Sequence, residues 1–191
     1  MDISKFQYSR KLKNKTVLVR LDLNVPINRR KILDDTRIRA ALPTLEKLIE
    51  RGAKTMIIAH LDRPGGKKDM KYTLEPIAEH LSELLEQKVK FIDSSTMKGI
   101  KRSVASVKKG QVALLENIRF HKGEDRNEDW FAEELASLGD AYVFDGFGVG
   151  HRTSPSVTGI AAHHEYKYAG YLVQTEIEAF NKLRETKPEQ T

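Results

Sequence analysis

Polar and basic side chains follow four strand-like segments of this 191-residue chain, in each case close to the point where the segment ends. The segments are residues 16–21, 54–59, 111–115 and 141–144, and the side chains that follow them are Asp22 and Asn24, His60 and Arg63, Glu116, Asn117 and Arg119, and His151 and Arg152. In an open parallel sheet the carboxyl ends of the strands share one edge, and ligands bind outside that edge. A cluster of arginine and histidine there predicts a site for a small anion and favours a phosphate or a carboxylate.

The first of these sets leaves more than one interpretation open. Asp22 and Asn24 lie on the same side of an extended chain, so they could hold a hydroxyl group between an acceptor and a donor, or they could form an Asx turn that ends the strand. Arg37 stands at a predicted helix start, where an unpaired cation is unfavourable and a bound anion would compensate it. The alternative partner for Arg37 is Asp34 or Asp35.

The remaining sets have structural alternatives as well. A histidine directly after a strand is more often structural than catalytic, but the nearby Arg63 shifts the interpretation of His60 toward an anion site. Arg119 could instead form a salt bridge with Glu116. The glycine-rich segment at residues 146–152 lacks the spacing of a dinucleotide fingerprint or a P-loop, but it can present backbone N–H groups to an anion.

Composition limits the class of protein. The net charge is +6 and there is no cysteine, which excludes a disulfide framework and a thiolate metal site. No apolar run approaches the length of a membrane span, and the polar N-terminus differs from a signal peptide, so we expect a cytoplasmic protein without a membrane partner. The chain has no metal-ligand spacing and no stripe of aromatic and basic residues, so we expect no bound metal and no nucleic-acid partner, although a basic nucleic-acid module remains an alternative. A monomer is the default expectation.

Strand and helix patterns alternate along the chain. A fifth strand is predicted at residues 88–92, and helices are predicted from Thr36 to Gly52, from Thr73 through Leu85, and over residues 96–107, 128–138 and 170–185. Thr36 is the predicted N-cap of the first helix, and Pro43 predicts a kink or a disrupted first half in that helix. Trp130, Phe131, Leu135 and Leu138 are the predicted core face of the fourth helix, and a short helix is predicted after Thr153. Repeated β-α units predict an α/β fold, a doubly wound Rossmann-like parallel sheet of five to six strands with helices on both faces.

Five colinear motifs resemble the N-terminal domain of phosphoglycerate kinase. They are VRLDLNVP at residues 19–26, DDTRIRAALPT at 34–44, HLDRP at 60–64, LLENIRFHKGE at 114–124 and DGFGVGHR at 145–152. The resemblance implies a kinase that moves a phosphoryl group between ATP and 3-phosphoglycerate. It implies that Asp22 and Asn24 contact the glycerate end, and that His60, Arg63, Arg119 and Arg152 bind the 3-phosphate. Arg37 would lie at the carboxyl group and stabilise the transferring phosphoryl group, so it is the expected catalytic residue.

The resemblance also implies what this chain does not carry. The family's Gly-rich nucleotide segments have no counterpart here, so Mg-ATP or Mg-ADP is expected on a separate C-terminal nucleotide-binding domain, and no cofactor is expected on this chain. Residues 1–186 are predicted to form the N-terminal domain, and residues 187–191 to begin the interdomain linker. The isolated chain is expected to bind 3-phosphoglycerate without turnover. A stand-alone phosphate-ligand binding module is the alternative.

Several positions depart from the family pattern. Asp62 replaces the usual glycine, Ser154 stands where a second histidine is common, Phe144 stands where asparagine is common, and Gly146 and Gly150 replace alanines. These departures predict looser substrate binding or a divergent branch of the family, with the fold retained.

Overall fold

A six-stranded, entirely parallel sheet is the centre of the computed structural model, which describes residues 10–94 and 96–185. The strand order is β5-β6-β4-β1-β7-β8, and a separate two-stranded hairpin is formed by β2 and β3. The strands are β1 (Thr16–Leu21), β2 (Ile27–Asn28), β3 (Lys31–Ile32), β4 (Lys54–Ile58), β5 (Lys90–Ile92), β6 (Val112–Leu115), β7 (Ala141–Asp145) and β8 (Lys167–Ala169). The sheet predicted from the sequence is therefore confirmed.

Helices cover both faces of this sheet and account for the two halves of the core. The helices are α1 (Thr36–Glu50), α2 (Glu75–Leu84), α3 (Met97–Ala105), α4 (Lys122–Asp125), α5 (Asp129–Ala136), α6 (Ile160–His163) and α7 (Tyr171–Glu185). Alternate residues of the strands point to opposite faces. Val17 and Val19 of β1 pack with α1 and α2, whereas Leu18 packs with α3, α5 and α6. The doubly wound arrangement follows from this two-sided burial.

All five predicted strands are present, with ends that differ by two residues at most. The sixth strand, β8, and the β2–β3 hairpin were not among them, because each is only two or three residues long and carries little periodicity. Among the described residues, no helix combines the length and apolar character needed to cross a bilayer.

Two local predictions about helices are wrong, and a third is wrong in one of its alternatives. Pro43 lies inside α1, which runs without interruption, so the disrupted first half is not found, and its side chain is exposed. The N-cap of α1 is Asp35 rather than Thr36, whose backbone N–H and hydroxyl both donate to Asp34 Oδ1 at 2.9 and 2.6 Å. Trp130 is 53% exposed, because the indole N–H donates to Glu128 Oε2 at 2.6 Å and only the ring edge packs on Phe131.

Candidate functional site

The carboxyl ends of four neighbouring strands bring the predicted site residues to one edge of the sheet. In the order β6-β4-β1-β7 every adjacent pair is parallel, so the residues that follow the strands leave on the same side. Asp22 and Asn24 follow β1, His60 and Arg63 follow β4, Arg119 follows β6, and Arg152 follows β7. Arg37 comes from the first turn of α1.

Arg37 forms an ion pair with Asp22, at 2.5 Å between Nη1 and Oδ2. The Asp22 side chain is only 8% exposed, whereas that of Arg37 is 53% exposed. The alternative pairing with Asp34 or Asp35 is wrong, because Asp34 accepts from Thr36 and Asp35 bonds with Arg39 and His80. Arg37 is therefore held at one atom and leaves most of its guanidinium open to solvent.

Gly148 makes the close approach of Asp22 and Arg37 possible. A Cβ atom at this position would lie 2.6 Å from Asp22 Oδ2 and 3.9 Å from Arg37 Nη1. Real Cβ atoms essentially never come within 3.0 Å of another heavy atom. The glycine-rich segment thus has a steric role at this site.

A chain of hydrogen bonds through Asn24 and Asp62 fixes the relative positions of three loops. The Asn24 Oδ1 accepts from the backbone N–H of Asp62 at 2.9 Å, and the Asp62 carbonyl accepts from Arg119 Nη1 at 2.6 Å. The Asn24 backbone N–H donates to Asp22 Oδ1 at 3.3 Å, so the Asx-type turn considered for this pair is present. Asp62 has a φ of 55°, a left-handed conformation that aspartate adopts more readily than most residues, which explains how it replaces glycine.

Arg63, Arg119 and Arg152 line one cavity of about 600 Å³, together with His151, Glu124 and Ser154. Burial lowers the pKa of Arg119, and the positive charges of Arg152, Arg20 and Arg63 lower it further. Arg152 Nε is buried and has no hydrogen-bond partner among the described residues. Unpaired buried donors and mutually repelling cations are both relieved by an anion.

The predicted salt bridge between Arg119 and Glu116 is not the arrangement found. Glu116 accepts hydrogen bonds from the Thr73 hydroxyl at 2.7 Å and from the backbone N–H groups of Leu74 and Asn117 at 2.9 and 2.7 Å. It therefore ties the start of α2 to the end of β6 and leaves Arg119 to the cavity.

His60 follows β4, near enough to the cavity-lining Arg119 and Arg152 for their charges to lower the pKa of its imidazole, and it carries no charge at neutral pH. It is 3% exposed. Burial, followed by the charges of Arg20, Arg119, Arg152 and Arg37, lowers the pKa of its imidazole from 6.5 to about 2. The sequence interpretation placed His60 in the anion site, and the surrounding arginines oppose its protonation, so it would take part there as a neutral imidazole.

Arg20 and Glu124 are site residues that the sequence reasoning missed. Arg20 lies within β1, is 1% exposed and is a close neighbour of His60. Glu124 lies in α4, between β6 and α5, and is 6% exposed. Both Glu124 carboxylate oxygens accept from Ser156, at 2.9 Å from the backbone N–H and 2.6 Å from the hydroxyl. The one available signal was a charged residue in the otherwise apolar run TVLVRL.

Not every predicted residue lines the same space. Asn24 lines a neighbouring cavity of about 360 Å³ with Asp62, Lys71 and Tyr72. Among the described residues, no group of three or more His, Cys, Asp or Glu side chains is arranged to hold a metal ion. The fold is that of a doubly wound α/β protein, and its cationic side chains gather at the edge of the sheet where such folds bind ligands.

Comparison with known proteins gives the family. The family model described as phosphoglycerate kinase matches residues 8–191. The chain is 48% identical over 174 residues to the phosphoglycerate kinase of Anaeromyxobacter sp. (strain Fw109-5) and 45% identical over 171 residues to that of Moorella thermoacetica. These alignments cover 90% of this chain and 44% and 43% of the relatives. The chain belongs to the phosphoglycerate kinase family.

Solved structures agree with this assignment. Phosphoglycerate kinase from Coxiella burnetii aligns with a TM-score of 0.82 and 42% identity, over 90% of this chain and 42% of that chain. The enzyme from Pyrococcus horikoshii OT3 aligns with a TM-score of 0.83 and 36% identity, over 92% and 44%. The chain therefore spans less than half the length of the relatives that it matches.

Proposed function

We propose that this chain is the substrate-binding half of a phosphoglycerate kinase and that it binds 3-phosphoglycerate at the carboxyl edge of the sheet. One observation carries the proposal: Arg63, Arg119 and Arg152, which come from three different strand ends, line a single cavity. Three guanidinium groups around one space match a phosphate dianion, because each can donate paired hydrogen bonds to its oxygens.

The proposed pose places the two ends of the ligand at different residues. The 3-phosphate occupies the cavity lined by the three arginines, with His60 near it. The glycerate end extends toward Asp22 and Asn24, which the Asn24–Asp62 hydrogen bond holds beside the same loops. The carboxyl group of the glycerate lies at Arg37. This order follows the family motifs.

Arg37 is the proposed catalytic residue. The reaction forms a bond between the γ-phosphorus of ATP and a carboxylate oxygen of 3-phosphoglycerate, and it breaks the bond to the β,γ-bridging oxygen, which leaves with ADP. Such a transfer needs positioning and charge stabilisation more than covalent chemistry. An exposed guanidinium held at one atom by Asp22 can turn its remaining donors to the carboxylate and to the transferring phosphoryl oxygens.

The nucleotide is proposed to bind outside this chain. The phosphoglycerate kinase family uses Mg-ATP and Mg-ADP in the full enzyme, so the partner of this chain would be the nucleotide-binding domain.

An exposed apolar surface is formed by Phe147, Phe180 and Leu183, with the two phenyl rings 5.8 Å apart, beside an apolar groove of about 540 Å³. We propose that the partner domain covers this surface. We further propose a cytoplasmic location and a monomeric chain, with residues 1–186 as the domain and residues 187–191 as the start of the interdomain linker. Of these, residues 1–9, 95 and 186–191 lie outside the described residues.

Calorimetric titration with 3-phosphoglycerate tests the binding proposal. Arg119→Ala is expected to weaken binding by about 1–3 kcal/mol, the range for losing a charged hydrogen bond. Arg102→Ala is the matched control, because Arg102 is an exposed arginine in the last turn of α3, and it is expected to leave the affinity unchanged. An equal affinity of the Arg119→Ala variant and the parent chain would remove Arg119 from the site.

A turnover assay tests the role of the chain alone. The purified chain is expected to show no ATP-dependent formation of 1,3-bisphosphoglycerate, and robust formation would refute the inactive-half proposal. Recovery of turnover on adding a separately produced nucleotide domain would favour the kinase half over a stand-alone binding module. Binding of nucleic acid with a steep salt dependence and no response to 3-phosphoglycerate would favour neither and would support a nucleic-acid module.

A further inference from the structure

Arg20 is a buried cation at the centre of the sheet, and four of its five N–H donors meet protein acceptors. Its Nε donates to the Ser156 hydroxyl at 3.1 Å. Its Nη1 donates to the carbonyl of Leu21 and lies 3.5 Å from that of Ile58. Its Nη2 lies 3.1 Å from His60 Nδ1. The Arg20 side chain is 1% exposed, so these four contacts fix its position within the protein.

The position of Arg20 is set by a buried carboxylate. Glu124 binds both polar groups of Ser156, and Ser156 in turn accepts from Arg20. The negative charge of Glu124 opposes the effect of burial on the pKa of Arg20. The three residues come from β1, from α4 and from the segment after β7, so their hydrogen bonds hold together three of the segments that build the site.

The contact between Arg20 and His60 fixes where the imidazole proton resides. A guanidinium group has donors and no acceptor, so His60 Nδ1 must accept the hydrogen bond. In a neutral imidazole the proton then lies on Nε2. We propose that Arg20 is a positioning residue that holds His60 in the Nε2–H tautomer, so that His60 donates a hydrogen bond from Nε2 to the phosphate of the ligand. This inference rests on the proposed function, because it takes the phosphate site as given.

In this arrangement the positive charge and the hydrogen-bond donor of fixed direction come from different residues. Arg63, Arg119 and Arg152 supply the positive charge around the cavity. A neutral Nε2–H adds a donor of fixed direction without another cation to repel them. An Nε2–H can only donate, so it is matched to an unprotonated phosphate oxygen. His60 thus contributes to recognition only while Arg20 occupies Nδ1.

Nitrogen-15 NMR of the imidazole nitrogens tests the tautomer directly in the ligand-free chain. We expect a protonated Nε2 and a bare Nδ1 for His60 at neutral pH, and a mixture of tautomers in Arg20→Met if that variant folds. A protonated Nδ1 in the parent chain, or a pure Nε2–H tautomer in a folded Arg20→Met chain, would overturn the proposal. This measurement needs no ligand, so it is independent of whether 3-phosphoglycerate binds.

A pair of substitutions at His60 tests the recognition step. The amide of His60→Gln can place a donor near the position of Nε2, whereas the amide of His60→Asn reaches only the position of Nδ1. Calorimetry with 3-phosphoglycerate is expected to show a loss of about tenfold or more for His60→Asn and about threefold or less for His60→Gln. Equal losses in the two variants would overturn the proposal. Failure of the parent chain to bind would overturn the proposed function instead, and the NMR result would still stand or fall by itself.

Discussion

Two arginines at the same edge of the sheet have opposite surroundings. Arg20 is 1% exposed, and its donors bond to Ser156, His60 and two backbone carbonyls. Arg37 has a side chain that is 53% exposed, and among the described residues Asp22 is its ion-pair partner. The first belongs to a buried layer that positions other groups, and the second to an open rim whose donors can change partners. The same residue type therefore serves structure in one region and is proposed to contact the ligand in the other.

Removing the two arginines should separate stability from binding. Arg20→Ala is expected to lower the free energy of unfolding by about 3–5 kcal/mol, because it leaves the Glu124 carboxylate and His60 Nδ1 buried without their counterpart. Arg37→Ala is expected to lower it by less than about 1 kcal/mol, since the pair is largely exposed on the arginine side. Urea unfolding of both variants measures the difference, with Arg39→Ala as a control on the same helix as Arg37. Similar losses in the free energy of unfolding for Arg20→Ala and Arg37→Ala would contradict the distinction between a buried layer and an open rim.

Acid should destabilise the buried layer through His60. The pKa of His60 is lowered to about 2 in the folded chain, against 6.5 when unperturbed. Below pH 6.5 the unfolded chain takes up a proton that the folded chain does not, so stability falls as the pH falls from 6.5 toward 2. The expected loss from this group is about 2 kcal/mol between pH 6.5 and 5.

His121 and His164 also have pKa values lowered by burial and act in the same direction, so the comparison must be made against a variant. Urea unfolding of His60→Gln in phosphate-free buffer should show a shallower decline than the parent chain over this range. Parallel declines in the two proteins would show that His60 titrates normally.

Gly148 offers a smaller perturbation that is confined to the rim. In Gly148→Ala the new methyl group would meet Asp22 Oδ2, so the Asp22–Arg37 pair must shift, at a cost of about 1–2 kcal/mol in the affinity for 3-phosphoglycerate. Gly150→Ala is the control, because its φ of −61° suits alanine and its Cβ would lie 3.2 Å from its nearest neighbour, the Phe147 carbonyl. Calorimetry should show a larger loss for Gly148→Ala than for Gly150→Ala, and the reverse order would remove the steric argument.

Substitutions of Asp62 should give the smallest effects on stability and affinity. Asp62→Gly relieves a left-handed conformation at φ 55° and is expected to raise the free energy of unfolding by up to about 1 kcal/mol. It also removes a negative charge beside Arg119, whose Nη1 already binds the Asp62 carbonyl. Asp62→Asn removes the charge and keeps the side chain, so a gain in phosphoglycerate affinity shared by both variants would identify charge as the cause. A loss of stability in Asp62→Gly would contradict the backbone argument.

The residues at the sheet edge could be predicted from sequence, because each of them follows a strand-like segment closely. Strand-like runs followed by polar residues place Asp22, His60, Arg119 and Arg152 at strand ends, and parallel pairing then brings these ends together. The partner of Arg37 could not be predicted, since the sequence offered Asp34 and Asp35 as neighbours and the structure uses Asp22, 15 positions away.

The contacts of the buried layer could not be predicted either, because they also join residues that are far apart in the sequence. Arg20 meets Ser156 across 136 positions, and no pattern within β1 indicates that partner. Trp130 shows the converse error, because a large aromatic residue at helical spacing looked like core and is 53% exposed. Periodicity predicts which elements form, whereas the pairing of polar groups depends on tertiary contacts.

The central claim is that side chains from four strand ends bind one ligand, and amide chemical shifts during a titration with 3-phosphoglycerate test it most directly. Residues 22–24, 60–63, 117–119 and 150–152 are expected to shift together and to fit a single dissociation constant. Lys15, Gly52 and Gly139, which precede β1, β4 and β7 at the opposite edge of the sheet, are expected to stay unchanged. Shifts confined to one of the four loops, or different dissociation constants among them, would contradict the account.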